Sequence, residues 1–477
     1  MSGTAPADVA EATRLDRTAY AVDRGAAADR APVRIVHLGL GAFARAHQAW
    51  YTAEVDDANE WGIAAFTGRT AAVADLLSPQ DGLFTLVERG PDGDRSTVVT
   101  SISEVISGDR VDLWDERIAA ESTAVVTLTV TESGYRLLPD GSPDPGDEIV
   151  AADILALRSA NGGQVPVSPL ARLVRGLAAR RRVGSGAIAV VPCDNIPGNG
   201  EYVRTGTLAF ARAWDTHLAD WIETFVSFVS TSVDRITPRT TADDVRAVAA
   251  RTGWHDAAPV ITEPYSSWTL CGDFPAGRPA WERAGAVFTD DIAPFESRKL
   301  WLLNGAHTLL AHAGQLRGHG TVADAIADPG CAGAVERFWD EACAHLPSHL
   351  DLPRYRSALL QRFGNSRIAH DLAQIEAESV TKLRVRIAPV ALAELRAGRT
   401  AAACADVFAA WVRRVLAGHS MTDARGDDVA AARSHDDGCA ALVAVVDPRL
   451  GADPSFVSRV RDAAQNPPAE NGPRRTS

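Results

Sequence analysis

The stretch Val33-Arg-Ile-Val-His-Leu-Gly39-Leu-Gly41-Ala-Phe43-Ala44-Arg-Ala-His47 constrains this chain more than any other: an apolar strand runs into a glycine turn and then a helix. It fits G-x-G-x-x-G/A, with Gly39, Gly41 and Ala44 at the small positions. Glycines there allow a tight turn and a close approach of backbone to a pyrophosphate, which rests on the positive end of the helix. Short β-branched runs recur at 62–66, 122–130, 187–191 and 225–230, separated by helical stretches. Such alternation predicts an α/β fold with a largely parallel sheet covered by helices. From about Asp291 the strand signals fade, and Ala-, Leu- and Arg-rich segments at 321–327, 333–345 and 400–418 predict a mostly helical second half. The expected division is therefore a dinucleotide-binding domain over 32–290 and a helical domain over 291–464, packed directly against each other. The composition of 1–31 and 465–477 predicts disorder at both ends.

Composition narrows the function. A chain of 477 residues, 46% hydrophobic and 23% charged with mean hydropathy −0.07, has the make-up of a globular enzyme. Its net charge of −13 argues against a nucleic-acid or anionic-membrane partner, so an anionic small molecule would need a local basic pocket. The six cysteines are irregularly spaced without a Cys-x-x-Cys pair, which predicts reduced thiols, a cytoplasmic setting and no structural metal. No apolar run approaches the ~20 residues that span a bilayer, and the first residues lack the pattern of a signal peptide.

Only two of the 48 basic residues, Lys299 and Lys382, are lysine. Arginine stays protonated in proteins, whereas a desolvated lysine amine can act as acid or base, so Lys299 is the place to look for chemistry. It lies in Pro294-Phe-Glu296-Ser-Arg-Lys299-Leu-Trp-Leu-Leu-Asn304-Gly-Ala-His307, where Pro294 can start a helix. At ~100° per residue Glu296, His307 and Asn304 fall about 60°, 80° and 140° from Lys299, on one broad face. A second polar turn, Cys193-Asp194-Asn195, follows the 187–191 strand at the sheet edge where α/β folds bind ligands, so Asn195 is expected to meet the lysine helix. After the second strand, Phe66-Thr-Gly-Arg69 offers Arg69 and no carboxylate until Asp75, which leaves NADP open beside NAD.

The glycine turn, together with Thr129-Val-Thr-Glu-Ser-Gly-Tyr135, Cys193-Asp-Asn195, Val233-Asp234-Arg-Ile-Thr-Pro238, Gly277-Arg-Pro-Ala-Trp281 and Lys299-x4-Asn304-x2-His307, resembles the polyol-specific long-chain dehydrogenases. That family includes mannitol 2-dehydrogenase and fructuronate reductase. The resemblance implies a Rossmann-like domain holding NAD or NADP through Gly39, Gly41, Phe43, Ala44, Arg69 and Thr129, a helical second domain, and metal-independent hydride transfer. It makes Lys299 the general acid/base and Asn195 and Asn304 hydrogen-bond donors to the substrate oxygen. His307 orients substrate, Glu296 is a proton-exit carboxylate, and Asp234 holds the lysine amine. Lys382, with Arg384 beside it, falls at a late basic position that reaches a substrate hydroxyl or carboxylate.

The chain departs from the family at Glu263-Pro-Tyr-Ser-Ser-Trp268, which bears on substrate, and near Ala72, where the acidic coenzyme determinant would stand. A zinc alcohol dehydrogenase lacks its ligand spacing here, and no tyrosine precedes a lysine by four as in short-chain dehydrogenases. Mannitol-1-phosphate 5-dehydrogenase activity and a non-catalytic nucleotide-binding sensor remain as alternatives. Ketoses, ketouronates, sugar alcohols and aldonates are the expected small-molecule partners. No obligate protein partner is evident, and family habit favours a monomer.

Overall fold

The computed structural model describes residues 12–25, 29–159, 165–368, 370–419 and 422–466, and divides into two compact units, Met1–Ala293 and Pro294–Ser477.

In the first unit the apolar runs become a six-stranded, all-parallel sheet. Across the sheet lie Ile102–Ile106, Gly62–Phe66, Val33–Leu38, Val125–Leu128, Ile188–Pro192 and Val226–Phe228. Numbered along the chain this is the order 3-2-1-4-5-6 of a Rossmann fold, which reverses direction between Val33–Leu38 and Val125–Leu128. Both faces are buried, which is why these strands are continuously apolar. Successive side chains alternate between two cores: Ile35, Ile63, Val125 and Ala189 enter one, while Val36, Ala64, Val126 and Val190 enter the other.

Three further sheets, one of them only two-stranded, were not legible in the run of β-branched residues. Phe84–Gly90 and Gly93–Val99 form a hairpin whose two-residue loop, Pro91-Asp92, carries ordinary turn chemistry, and Val260–Thr262 pairs with it. Ser230–Asp234 pairs antiparallel with Ser267–Cys271. The expectation of disorder over 1–31 is corrected within Ala12–Gly25. Thr13–Arg14 pairs with Trp254–His255, and Asp16 caps the helix Arg17–Arg24. The Arg17 guanidinium donates to the carbonyls of Thr100, at 2.7 Å, and Ile102, at 2.9 Å. Side-chain anchoring of this kind leaves no mark on composition. Residues 1–11 and 467–477 lie outside the described residues.

The second unit is helical and, among its described residues, carries no strand. Its central element is one continuous helix from Ala293 to Leu316, interrupted by a π-helical stretch at Lys299–Gly305. Around it stand Pro329–Cys343, Leu352–Phe363, Ser379–Arg386 and Ala402–Leu416. No helix among the described residues is long and apolar enough to cross a membrane.

Candidate functional site

The coenzyme half belongs to the first unit. Gly39 ends the first strand with φ +104°, and a Cβ there would lie 2.2 Å from the Thr129 carbonyl oxygen at the end of the neighbouring strand. Glycine is therefore required twice, by conformation and by space. Gly41 differs: the nearest atom to a Cβ there is 3.7 Å away, so the room its missing side chain leaves is open. Ala44 is buried, and Phe43 stacks on His47 with ring centroids 5.1 Å apart. Thr129 Oγ1 is buried without a hydrogen-bond partner in this unit. An orphaned hydroxyl, an open glycine and a helix start converge at the sheet's switch point, and these residues fit a dinucleotide. Arg69 is exposed just past the second strand, with no carboxylate among Thr67, Gly68 and Thr70.

The helix that opens at Gly41 passes from Ala42–Ala44 into a π-helical stretch, Arg45–Ala49, and back into Trp50–Ala53. Arg235 donates to the Ala46 carbonyl at 2.7 Å, and Ser101 to that of Ala49 at 2.7 Å. A carbonyl is thus met by a side chain at each end of the widened turn.

Asn195 is exposed on the turn after Ile188–Pro192. The turn is held from below, where Asp194 accepts from the Tyr135 hydroxyl at 2.7 Å and from Asn199 Nδ2 at 3.2 Å. Burial raises the Asp194 carboxyl above its ordinary range. Asp234 closes the strand Ser230–Asp234, half-buried and opposite Ser267.

In the second unit Glu296, Lys299 and Asn304 are half-buried and His307 is buried, all on the central helix. The angles expected from a regular α-helix are corrected by the π stretch. A π turn bonds residue i to i+5, so the residue five along, rather than four along, comes to stand above the first. Lys299 and Asn304, five apart, are then stacked as an i, i+4 pair is in an α-helix. Packing explains the distortion. A Cβ on Gly305 would meet the Phe338 ring at 2.7 Å, and the neighbouring Trp339 indole donates to the Leu302 carbonyl at 2.8 Å.

His307 contacts Phe363, with ring centroids 4.9 Å apart, and His370, at 4.7 Å. Burial, then the positive groups of His370, Arg362, Arg386 and Lys382, hold its imidazole well below the usual histidine range. It is therefore neutral at physiological pH. Lys382 Nζ donates to the Ile375 carbonyl at 2.8 Å, and burial followed by Arg386 lowers its amine. Arg384 is corrected. Two residues from Lys382, it lies on the opposite side of Ser379–Arg386 and donates to the carbonyls of Val446, at 2.8 Å, and Val445, at 2.9 Å. Its charge ends a helix rather than facing His307.

The residue on the His307 side is Arg386, four after Lys382 and so on the same face of the helix. Its Nη1 donates to the Asn304 carbonyl at 3.2 Å, and its buried Nε has no partner among the described residues. A cavity of about 200 Å³ in the same unit, lined by Leu309, Ala313, Cys331, Val407 and Arg413 among others, contains none of the expected site residues. His319, Asp328 and Cys331 lie within 4.8 Å of one another, but Asp328 is committed to Arg317, at 2.8 Å, and to capping Gly330.

Comparison with known proteins agrees with this division. A family described as the mannitol dehydrogenase Rossmann domain matches residues 33–283, and the mannitol dehydrogenase C-terminal domain matches 291–466. D-Mannonate oxidoreductase of Escherichia coli (strain K12) is 33% identical over 80% of this chain and 79% of its own. D-Arabinitol 4-dehydrogenase of Ralstonia nicotianae is 38% identical over 76% of this chain and 78% of its own. Among solved structures, Pseudomonas fluorescens mannitol 2-dehydrogenase in a ternary complex with NAD and D-mannitol superposes with a TM-score of 0.78 at 29% identity, covering 95% of this chain and 96% of that one.

Proposed function

The chain belongs to the mannitol dehydrogenase family of NAD-dependent oxidoreductases, and on that premise we propose that it interconverts a ketouronate with its aldonate, with Lys299 as general acid/base. The cations gathered about a neutral His307 carry this reading. Arg362 and Lys382 form a basic patch in a chain whose net charge is −13, and a carboxylate answers it better than an uncharged polyol does.

Bound, the dinucleotide supplies hydride transfer at its nicotinamide ring. In the oxidation direction the Lys299 amine takes the hydroxyl proton, and in reduction it returns a proton to the carbonyl oxygen. A free lysine titrates near ~10.4, so partial desolvation has to bring this one into working range. The Asn304 amide donates to the same oxygen and stabilises its alkoxide-like charge, and the family resemblance gives Asn195 a donor's role as well. Neutral His307 orients the substrate without adding charge. Glu296, one turn before the lysine, carries the proton outward, and Asp234 keeps the supporting role that the family resemblance implies. Arg69, standing where a ribose-binding carboxylate would be, favours the 2′-phosphate of NADP(H). No step calls for a metal.

The test is loss of nicotinamide absorbance with NADH or NADPH against D-fructuronate, D-tagaturonate, D-fructose and fructose 6-phosphate. A kcat/KM for a ketouronate at least tenfold above that for D-fructose is expected, and Lys299→Ala should lower it by ~10²–10⁴. Faster turnover of the neutral ketose or the phosphate rejects the carboxylate assignment. Coenzyme binding with silence across the panel returns the nucleotide-binding sensor.

A further inference from the structure

We propose that Arg386 is a positioning residue, whose guanidinium holds the π turn of the central helix in the register that stacks Asn304 over Lys299. The proposal rests on the assignment of Lys299 and Asn304 as the reacting pair. It adds a reason for their placement that the residues of the pair do not contain.

A π stretch is rare because its wider turn makes poorer use of backbone hydrogen bonds than the α-helix on either side, so something outside it must favour it. Two carbonyls within Lys299–Gly305 are met by side chains from other helices. Trp339 Nε1 donates to Leu302 at 2.8 Å, and Arg386 Nη1 to Asn304 at 3.2 Å. Thr308 Oγ1, one turn on, also donates to the Asn304 carbonyl at 3.1 Å, and Arg386 Nη1 lies 3.1 Å from that hydroxyl. Arg386, Thr308 and the Asn304 carbonyl thus form a closed triangle at the end of the π turn.

Arg386 is a costly residue to place there. Burial lowers its guanidinium to about 10, and no carboxylate offsets that burial. A half-buried cation whose named contacts are a carbonyl and a hydroxyl is working on the backbone. The first unit repeats the device independently. There Arg235, fully buried, donates to the Ala46 carbonyl inside the π stretch Arg45–Ala49, and Thr52 Oγ1 donates to the Gln48 carbonyl four residues back at 2.8 Å. Each π stretch has one arginine from a distant element and one threonine from its own helix on its carbonyls. If the turn relaxed to α geometry, Asn304 would rotate away from Lys299 by most of a right angle.

The experiment uses the full chain with Arg386→Gln, Arg386→Lys and Thr308→Val. A positioning role predicts that Arg386→Gln lowers kcat by ~10–100-fold on a ketouronate and on D-fructose alike, the scale of a misplacement near 1 Å. Arg386→Lys should recover part of the loss, because an ammonium can still donate to the carbonyl. Thr308→Val, milder because Arg386 remains, should lower kcat in the same direction and keeps the test alive if Arg386→Gln does not fold.

The scarcity of lysine gives a readout that needs no turnover. After reductive ¹³C-methylation only Lys299 and Lys382 give side-chain signals, and Lys382→Arg assigns them. The Lys299 titration should shift by about one pKa unit in Arg386→Gln. A rise in KM confined to the ketouronate, with kcat and the Lys299 titration unchanged, overturns the proposal and makes Arg386 a substrate contact. Wild-type silence on the sugar panel would count against the assigned reaction, while the Lys299 titration would still decide this point.

Discussion

The hydroxyl of Tyr135 donates to Asp194 Oδ2 at 2.7 Å, tying the loop after the fourth parallel strand to the turn that presents Asn195 after the fifth. Tyr135→Phe removes the donor and leaves a buried carboxyl with one partner fewer. The expected cost is ~1–3 kcal/mol, read as a lower urea midpoint. The Tyr135 bond opposes the burial that raises the Asp194 carboxyl, so its loss raises it further. A raised folded pKa weakens the fold as pH climbs through it, so the loss should be larger at pH 7 than at pH 4. An equal loss at both would mean that Asp194 does not titrate in this way.

Gly39 and Gly41 should fail differently when a methyl group is added. Gly39→Ala places a Cβ against the Thr129 carbonyl at a φ that alanine resists, so thermal stability should fall together with coenzyme binding. Gly41→Ala points into open space, so the melting temperature should stay within a few degrees while NAD(H) affinity drops at least tenfold by fluorescence titration. Unchanged affinity in Gly41→Ala would remove the pyrophosphate from this turn.

Arg69→Ala tests coenzyme choice. Loss of the guanidinium should weaken NADPH binding roughly tenfold, about 1.4 kcal/mol, and leave NADH nearly unaffected. Equal effects on the two coenzymes would place Arg69 away from the ribose.

Acid should unfold the protein through its buried imidazoles. Burial lowers His37 to about 4 and His312 to about 3. In the unfolded chain both titrate near 6.5, so between that value and the folded ones the unfolded state binds more protons. Stability is therefore full above pH ~6.5 and declines as pH falls toward 4, by on the order of 3 kcal/mol for His37 alone. Urea midpoints measured from pH 7.5 to 4.5 should follow that slope, and His37→Asn should flatten it. A level profile would contradict the assignment.

The sheet was legible because a parallel strand covered on both faces must be continuously apolar, so 33–38 and 62–66 stand out from their helical neighbours. The hairpin at 84–99 was not, because its outer strand, Gly93–Val99, is polar and half-exposed and carries no apolar run. The residues proposed to react stand out through their chemistry: a lone lysine near an amide and an imidazole is conspicuous in a chain of arginines. Their geometry was hidden, because the π register depends on Phe338, Trp339 and Arg386, which lie far along the chain from Lys299. Among 46 arginines nothing marks Arg386 or Arg362 as different from Arg384, whose partners are carbonyls of another helix.

The π turn also takes up one residue more than a regular helix would hold over the same span. Excising one residue between Lys299 and Asn304 would relax the stretch into an ordinary helix, a change the backbone would welcome. It would leave the amine and the amide four positions apart in a regular helix, the α spacing that corresponds to five in the π turn, so the phase of everything downstream, His307 included, would be nearly kept. A residue lost from a regular α-helical turn has no such slack and turns whatever follows it by ~100° about the axis, so the widened turn is where this helix absorbs a residue and stays in phase.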